Sequence, residues 1–270
     1  FQAPGVPPWG LGLKPRRDLL GKLRDSILWW LVRRLFDSPL PQLNALRRSL
    51  GLAPMAHAAD WGYLPPRLLY YTCEPFEYAR TWPEHVHLVG PGVWEPPTEE
   101  PPPSQDTRPL VLVTCSSEFQ NDGKLIQAAL DGLSNERVRV IATSAAMDPA
   151  SFSVPPNAVV HRFVPHGPLL REAVCLVCHG GMGITQKALS AGVPVCAIPF
   201  GRDQMEVARH LEVAGAGVRL LPNALTPESL RDAVRQARQR QSGARELSRA
   251  FAQAPGPTRA ADLLETMITR

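Results

Sequence analysis

Between residues 109 and 242 the sequence alternates two kinds of segment, and this alternation restricts the folds open to it more than any other feature. Short apolar runs rich in β-branched residues (Leu110 to Thr114, Val138 to Ala142, Ala158 to His161, Ala173 to Cys178, Val193 to Ile198, Val218 to Leu221) are separated by segments with helical spacing, such as Leu125 to Leu133, Gly183 to Ala191 and Asp203 to Ala214. A strand apolar on both sides has to be covered on both faces, and interposed helices make the strand connections parallel. The pattern predicts a doubly wound α/β domain over 109–242. The punctuation agrees with it. Gly192 and Gly215 follow helical segments where a left-handed cap is wanted, Thr226-Pro227 reads as N-cap and first helical residue, and Asp203 can cap the helix it opens.

The remainder divides by composition. Residues 1–94 read as mostly helical with two short strands. Residues 95–108 are too rich in proline for regular structure and form a linker, and 243–270 is a further helical stretch. Hydrophobic residues make up 44% of the chain, ample for a core. The net charge of +4 is mild and its basic residues are dispersed, which argues against a nucleic-acid partner. No apolar run is long enough to cross a membrane, no leader pattern opens the chain, and five irregularly spaced cysteines make no disulfide framework. The expectation is a cytoplasmic protein with reduced thiols. A chain that opens on Phe1 and a Gly/Pro-rich stretch reads as a processed or truncated product.

Ligands of an open parallel sheet bind beyond the carboxyl ends of its strands. The richest such end is Cys178-His179-Gly180-Gly181-Met182-Gly183-Ile184-Thr185. Its glycines let the main chain approach a ligand closely, and a helix starting near Gly183 would turn its positive end toward an anion. A plain tight turn would use the same residues. At the next strand end, Asp203 and Gln204 offer acceptor and donor groups suited to neighbouring hydroxyls, although a capping role alone would also explain Asp203.

From Phe163-Val164-Pro165-His166 through His179-Gly-Gly-x-Gly, Gly192-Val-Pro and Asp203-Gln204 to Gly215-x-Gly217, the sequence resembles the donor-binding signature of the family 1 glycosyltransferases, which include bacterial macrolide and glycopeptide glycosyltransferases and plant UDP-glycosyltransferases. The resemblance implies an α/β, GT-B fold with a Rossmann-like donor domain. It also implies transfer of a hexose from a UDP- or dTDP-sugar to the hydroxyl of a small-molecule or lipid acceptor, with inversion and with no cofactor or metal. Phe163 then stacks on the base and Val164 meets its edge. His179, with the amides of Gly180, Gly181, Gly183 and Ile184, holds the pyrophosphate; Asp203 and Gln204 bind the sugar; Ser116 and Ser117 also meet the phosphates.

Three positions depart from the family pattern. His166 replaces a glutamine, Ile184 a small hydroxyl residue, and Lys187 the glutamate that binds the ribose hydroxyls. A cation cannot accept hydrogen bonds from hydroxyls. Upstream, Leu43-Asn-Ala-Leu-Arg47-Arg-Ser-Leu-Gly51-Leu and residues 68–94 resemble the late helix and final strand of the family's N-terminal acceptor domain, and the last helix is expected to cross back to it. No residue matches the motif of the family's catalytic base, so none is assigned and the incomplete chain is expected to lack it. Two other readings stay open: a non-catalytic nucleotide-sugar-binding protein or inactive remnant, and a sugar-nucleotide epimerase, which needs acid and base groups that cannot be placed.

Two further motifs require a decision. Cys175-Leu-Val-Cys178-His179 spells a haem-attachment sequence, but buried structural thiols are the better account in an apolar strand. Residues 26–36, with paired tryptophans and arginines, are either a packed helix, which is preferred, or an interfacial one offering peripheral membrane contact.

Overall fold

The computed structural model describes residues 2–95, 106–116 and 122–268. Asp18 Oδ1 accepts from the Gly21 amide at 2.8 Å and caps α1 (Leu19–Phe36), which is followed by α2 (Leu40–Ser49). The Asn-x-x-Arg-x-x-x-Gly-Leu pattern of α2 has a structural basis. Asn44 brackets Met55 through both its amide groups, at 2.9 and 2.8 Å, and Arg47 Nε donates to Ala53 O at 2.8 Å, so the helix fixes the loop that leaves it. The two short strands, β1 (Leu68–Tyr70) and β2 (Val86–Leu88), pair in parallel.

Helix α1 departs from the preferred reading of a packed helix. It buries only Gly21 and Asp25, and leaves Leu19, Leu23, Ile27, Trp30, Leu35 and Phe36 exposed. Its apolar residues are distributed too widely around the axis for one neighbouring surface to cover them. Among the described residues, no helix is long and apolar enough to cross a membrane.

The later half builds the predicted sheet: β3 (Leu110–Thr114), α3 (Gly123–Leu133), β4 (Arg139–Thr143), β5 (Ala158–His161), α4 (His166–Glu172), β6 (Ala173–Cys178), α5 (Met182–Ser190), β7 (Val195–Ala197), α6 (Gln204–Val213), β8 (Gly217–Arg219) and α7 (Pro227–Arg238). Strand order is β5-β4-β3-β6-β7-β8, all parallel. Counted from β3 this is the doubly wound order 3-2-1-4-5-6, whose direction reverses between β3 and β6.

Strand alternation sorts the core into two layers. Val111, Val113, Cys175 and Val177 pack with Leu125, Ile126, Leu130, Leu230 and Val234 of α3 and α7. Leu110, Leu112, Leu176 and Cys178 face the other way, toward Leu170, Leu189, Val207 and Leu211 of α4, α5 and α6. Each fully buried leucine or valine contributes roughly 1.5–3 kcal/mol relative to exposure. Every interior strand is covered twice, so the apolar runs need no polar side.

Capping follows the expected chemistry at three of four places. Gly192 and Gly215 take φ of 72° and 64°, and Thr226 forms a reciprocal capping box with Ser229. Asp203 departs from it: the residue precedes α6, but with φ −83° and ψ −3° its side chain makes no capping bond.

The single C-terminal helix expected after residue 243 is two, α8 (Gln241–Gln253) and α9 (Pro257–Ile268). Pro255 and Pro257 flank Gly256 and break the run. Ser248 of α8 donates to Ser190 O at 2.8 Å, against α5. Helix α9 lies on the first segment, where Ala260 and Leu263 pack with Val89 and Leu69, and Arg67 donates to Leu263 O and Thr266 Oγ1 at 2.6 and 2.7 Å.

Candidate functional site

The carboxyl ends of β3 and β6 flank the reversal point, and the chain places Ser116 on one side and His179 on the other. Ser116 is buried, and its amide donates to Asp122 Oδ2 at 2.7 Å. Asp122, unremarkable in the sequence, therefore spends its carboxylate on the Ser116 amide rather than on capping α3. Ser117 lies outside the described residues.

After β6 the backbone turns through Gly180 at φ +84°, a conformation costly for any residue with a Cβ. Gly181 stands at the N-cap of α5 with no side chain to offer the helix. The amides of Met182, Gly183 and Ile184, which a helix cannot satisfy internally, find no acceptor among the described residues. Unpaired first-turn amides and the helix dipole suit an anion. The side chain of Ile184 packs partly into the core below, so only its amide can serve the site.

The ring of His179 lies directly over Gly181, where a Cβ would collide with Nε2. Its Nδ1 is buried without a hydrogen-bond partner. Burial lowers its pKa below the ordinary histidine value, outweighing the opposing charges of Asp122 and Asp203. The imidazole is thus neutral at pH 7 and recognises a ligand by hydrogen bonding rather than as a cation.

At the end of β7 the two sugar-binding candidates part. Gln204 is buried and its Oε1 accepts from the amides of Phe200 and Gly201 at 2.8 and 3.1 Å. That oxygen is committed to the turn. Asp203 accepts from the amides of Glu206 and Val207 through its backbone carbonyl at 2.9 and 3.1 Å, while its carboxylate makes no capping bond and remains available as an acceptor. Between them and β7, Arg202 takes a left-handed φ of 56°.

On the other side, Phe163 is 66% exposed on the loop leading into α4 and Val164 packs partly against the core. His166 turns inward from the first turn of α4, its Nε2 3.1 Å from Thr143 Oγ1, which in turn donates to Thr114 Oγ1 at 2.8 Å. Burial, reinforced by the Lys187 charge, lowers its pKa to about 4. It therefore fastens α4 to the strand ends as a neutral group.

Lys187 does not stand as a lone cation. Its Nζ lies 2.8 Å from Glu95 Oε1, which also accepts from the Gly167 amide at 2.8 Å. By sequence Glu95 is only the start of a proline-rich linker, and nothing in hydrophobic periodicity marks it as part of a site. The haem-like motif dissolves in the fold: Cys175 and Cys178 are fully buried on opposite faces of β6, and burial pushes their thiols up to about 12 and about 11.

A second concavity, of about 460 Å³, opens on the side of residues 1–94. Trp9, Trp29, Trp61, Tyr70, Tyr78 and Trp82 line it. Glu206 of α6 forms part of its wall and accepts from the amides of Gly10 and Gly12 at 3.1 and 2.9 Å, tying the opening segment to the sheet domain.

Residues 127–267 match the erythromycin biosynthesis protein CIII-like, C-terminal domain family. The 4'-demethylrebeccamycin synthase of Lentzea aerocolonigenes is 33% identical over 247 residues, covering 87% of this chain and 58% of that protein. Among solved structures, the calicheamicin glycosyltransferase CalG4 superposes with a TM-score of 0.72 at 26% identity, over 85% of this chain and 60% of that one. The glycosyltransferase VinC, solved in complex with dTDP, superposes with a TM-score of 0.54 at 25% identity, over 60% and 42%. The chain spans about half the length of the curated relatives it matches. A doubly wound sheet with open amides at its reversal point, and a sequence match over the same residues, lead to one conclusion: the chain belongs to the erythromycin biosynthesis protein CIII-like family and has the fold of the GT-B glycosyltransferases.

Proposed function

We propose that this chain binds the donor in a glycosyltransferase that passes a hexose from a UDP- or dTDP-sugar to an acceptor hydroxyl with inversion at the anomeric carbon. The observation that carries the reading is the set of unpaired amides opening α5, beside the unpartnered Nδ1 of His179 at the β3–β6 reversal point. The relatives named above support it, and the dTDP in VinC supports a nucleoside diphosphate as ligand.

In this reading the diphosphate rests on the amides of Gly181, Met182, Gly183 and Ile184, with His179 and the turn at Gly180 beside it and Ser116 facing it. The base lies on Phe163 near Val164 and His166, and the hexose reaches Asp203, with Gln204 holding the turn beneath. The acceptor oxygen, giving up its proton to a general base outside the residues assigned here, attacks the anomeric carbon while the bond to the diphosphate oxygen breaks and its electron pair leaves with the phosphate. Preorganised amides stabilise the charge that develops there, and no metal is required. We assign no base to this chain.

Residues 109–242 form the donor side in this scheme. Residues 1–94, joined by 95–108 and clasped by 243–270, form the acceptor side. The aromatic concavity suits an apolar, ring-containing acceptor. Five free cysteines, four of them buried, suit the cytoplasm.

Calorimetric titration with UDP and dTDP tests the ligand, and transfer or hydrolysis of a labelled UDP-hexose by the full-length protein tests the reaction. Binding of neither diphosphate refutes the reading. Binding without turnover reduces it to a nucleotide-sugar-binding protein.

A further inference from the structure

Glu95 comes from a segment whose composition promised only a tether, yet it is held at the rim of the donor site by two elements at once. Its Oε1 takes the Lys187 ammonium of α5 and the Gly167 amide of α4, each at 2.8 Å. The carboxylate lies so close to Gly167 that a Cβ there would fall 2.6 Å from Oε2. Both side chains of the pair are mostly shielded, at 22% and 19% exposure, so solvent screens the contact only in part. Oε2 has no hydrogen-bond partner among the described residues.

The position of the carboxylate gives it a role. Phe163 and Val164 lie on the loop that runs into α4, and the unpaired amides lie at the start of α5. A nucleoside diphosphate with its base on the first and its phosphates on the second carries its ribose across the gap between the two helices. Glu95 is the group that bridges this gap. A vicinal diol is a pair of donors and is bound best by a charged acceptor held rigidly. Lys187 has no acceptor to offer, but it orients a carboxylate that has one oxygen tied down and the other unpaired.

Resting on the nucleotide reading above, we infer that Glu95 is the acceptor for the ribose hydroxyls of the donor, and that Lys187 is the residue that positions it. The inter-element segment thereby contributes directly to the donor site. Glu95 also becomes a determinant of sugar identity in the nucleotide, favouring ribose over sugars that lack the hydroxyls.

The test is calorimetric titration of the whole chain with UDP and with 2',3'-dideoxy-UDP, for the parent, Glu95→Ala and Lys187→Met. The parent should prefer UDP by about tenfold or more, the scale of a hydrogen bond to a charged group. Glu95→Ala should abolish that preference by weakening UDP alone. Lys187→Met should narrow it, leaving dideoxy-UDP affinity unchanged and so showing that the site remains folded. Equal binding of both nucleotides by the parent, or parallel loss of both in Glu95→Ala, overturns the role of Glu95 while the diphosphate reading stands. Binding of neither by the parent refutes that reading, and this inference with it.

Discussion

Replacing His179 by alanine separates two ways in which a histidine can hold a diphosphate. In the structure its burial outweighs the nearby carboxylates and depresses its pKa, leaving a neutral ring with an unpartnered Nδ1 at pH 7. A neutral hydrogen bond contributes about 0.5–1.5 kcal/mol, so His179→Ala should weaken UDP binding roughly two- to tenfold; a charged bond, at about 1.5–3 kcal/mol, would cost tenfold to more than a hundredfold. The pH dependence carries the sign. A bound anion favours the imidazolium, and the free ring is held below the ordinary histidine value, so the advantage of parent over variant should be small near pH 7.5 and widen as pH falls. Calorimetry from pH 5.5 to 8 measures it, and the ratio of parent to variant cancels the titration of the diphosphate itself. A ratio above a hundred at pH 7.5, or one that fails to widen as pH falls, would refute the neutral-ring argument.

Three further outcomes follow from particular contacts. Gly181→Ala sets a Cβ against His179 Nε2 in a backbone conformation that alanine accepts, so its UDP affinity should fall as far as that of His179→Ala and the double variant should be no worse. His166, held near a pKa of about 4, binds more protons unfolded than folded between that value and about 6.5. The stability it protects is therefore complete above about pH 6.5 and lost on acidification, by up to about 3 kcal/mol; urea melts of His166→Gln should show a correspondingly shallower acid dependence than the parent. Gln204→Ala strands the amides of Phe200 and Gly201 in a turn its Oε1 now holds, at a cost of about 2–4 kcal/mol; thermal unfolding should register a fall of at least about 4 °C.

Much of the fold was legible because strand and helix periods are local properties. Six apolar runs between helical segments gave six parallel strands, three with the expected boundaries and three displaced by one or two residues where burial and hydrogen bonding end at different places. The uncapped start of α5 was legible for a similar reason: glycines at 180, 181 and 183 after a strand offer the helix no capping side chain. The two residues expected to face the sugar were harder. Asp203 and Gln204 are adjacent in sequence, but past the turn at Arg202 one side chain makes no capping bond and the other is tied to the backbone of Phe200 and Gly201, a choice made by hydrogen bonds that residue type alone does not specify.

The sequence by itself determined the layered α/β architecture and the open amides at the carboxyl edge of its sheet, because each follows from side-chain periodicity and the unsatisfied ends of helices. Only the tertiary structure decided the charges at that edge. It neutralised His179 by burial and set Glu95 against Lys187 across 92 positions of chain. The energy of a charge depends on the water it loses and the partners it meets, and both are fixed only when distant segments pack together.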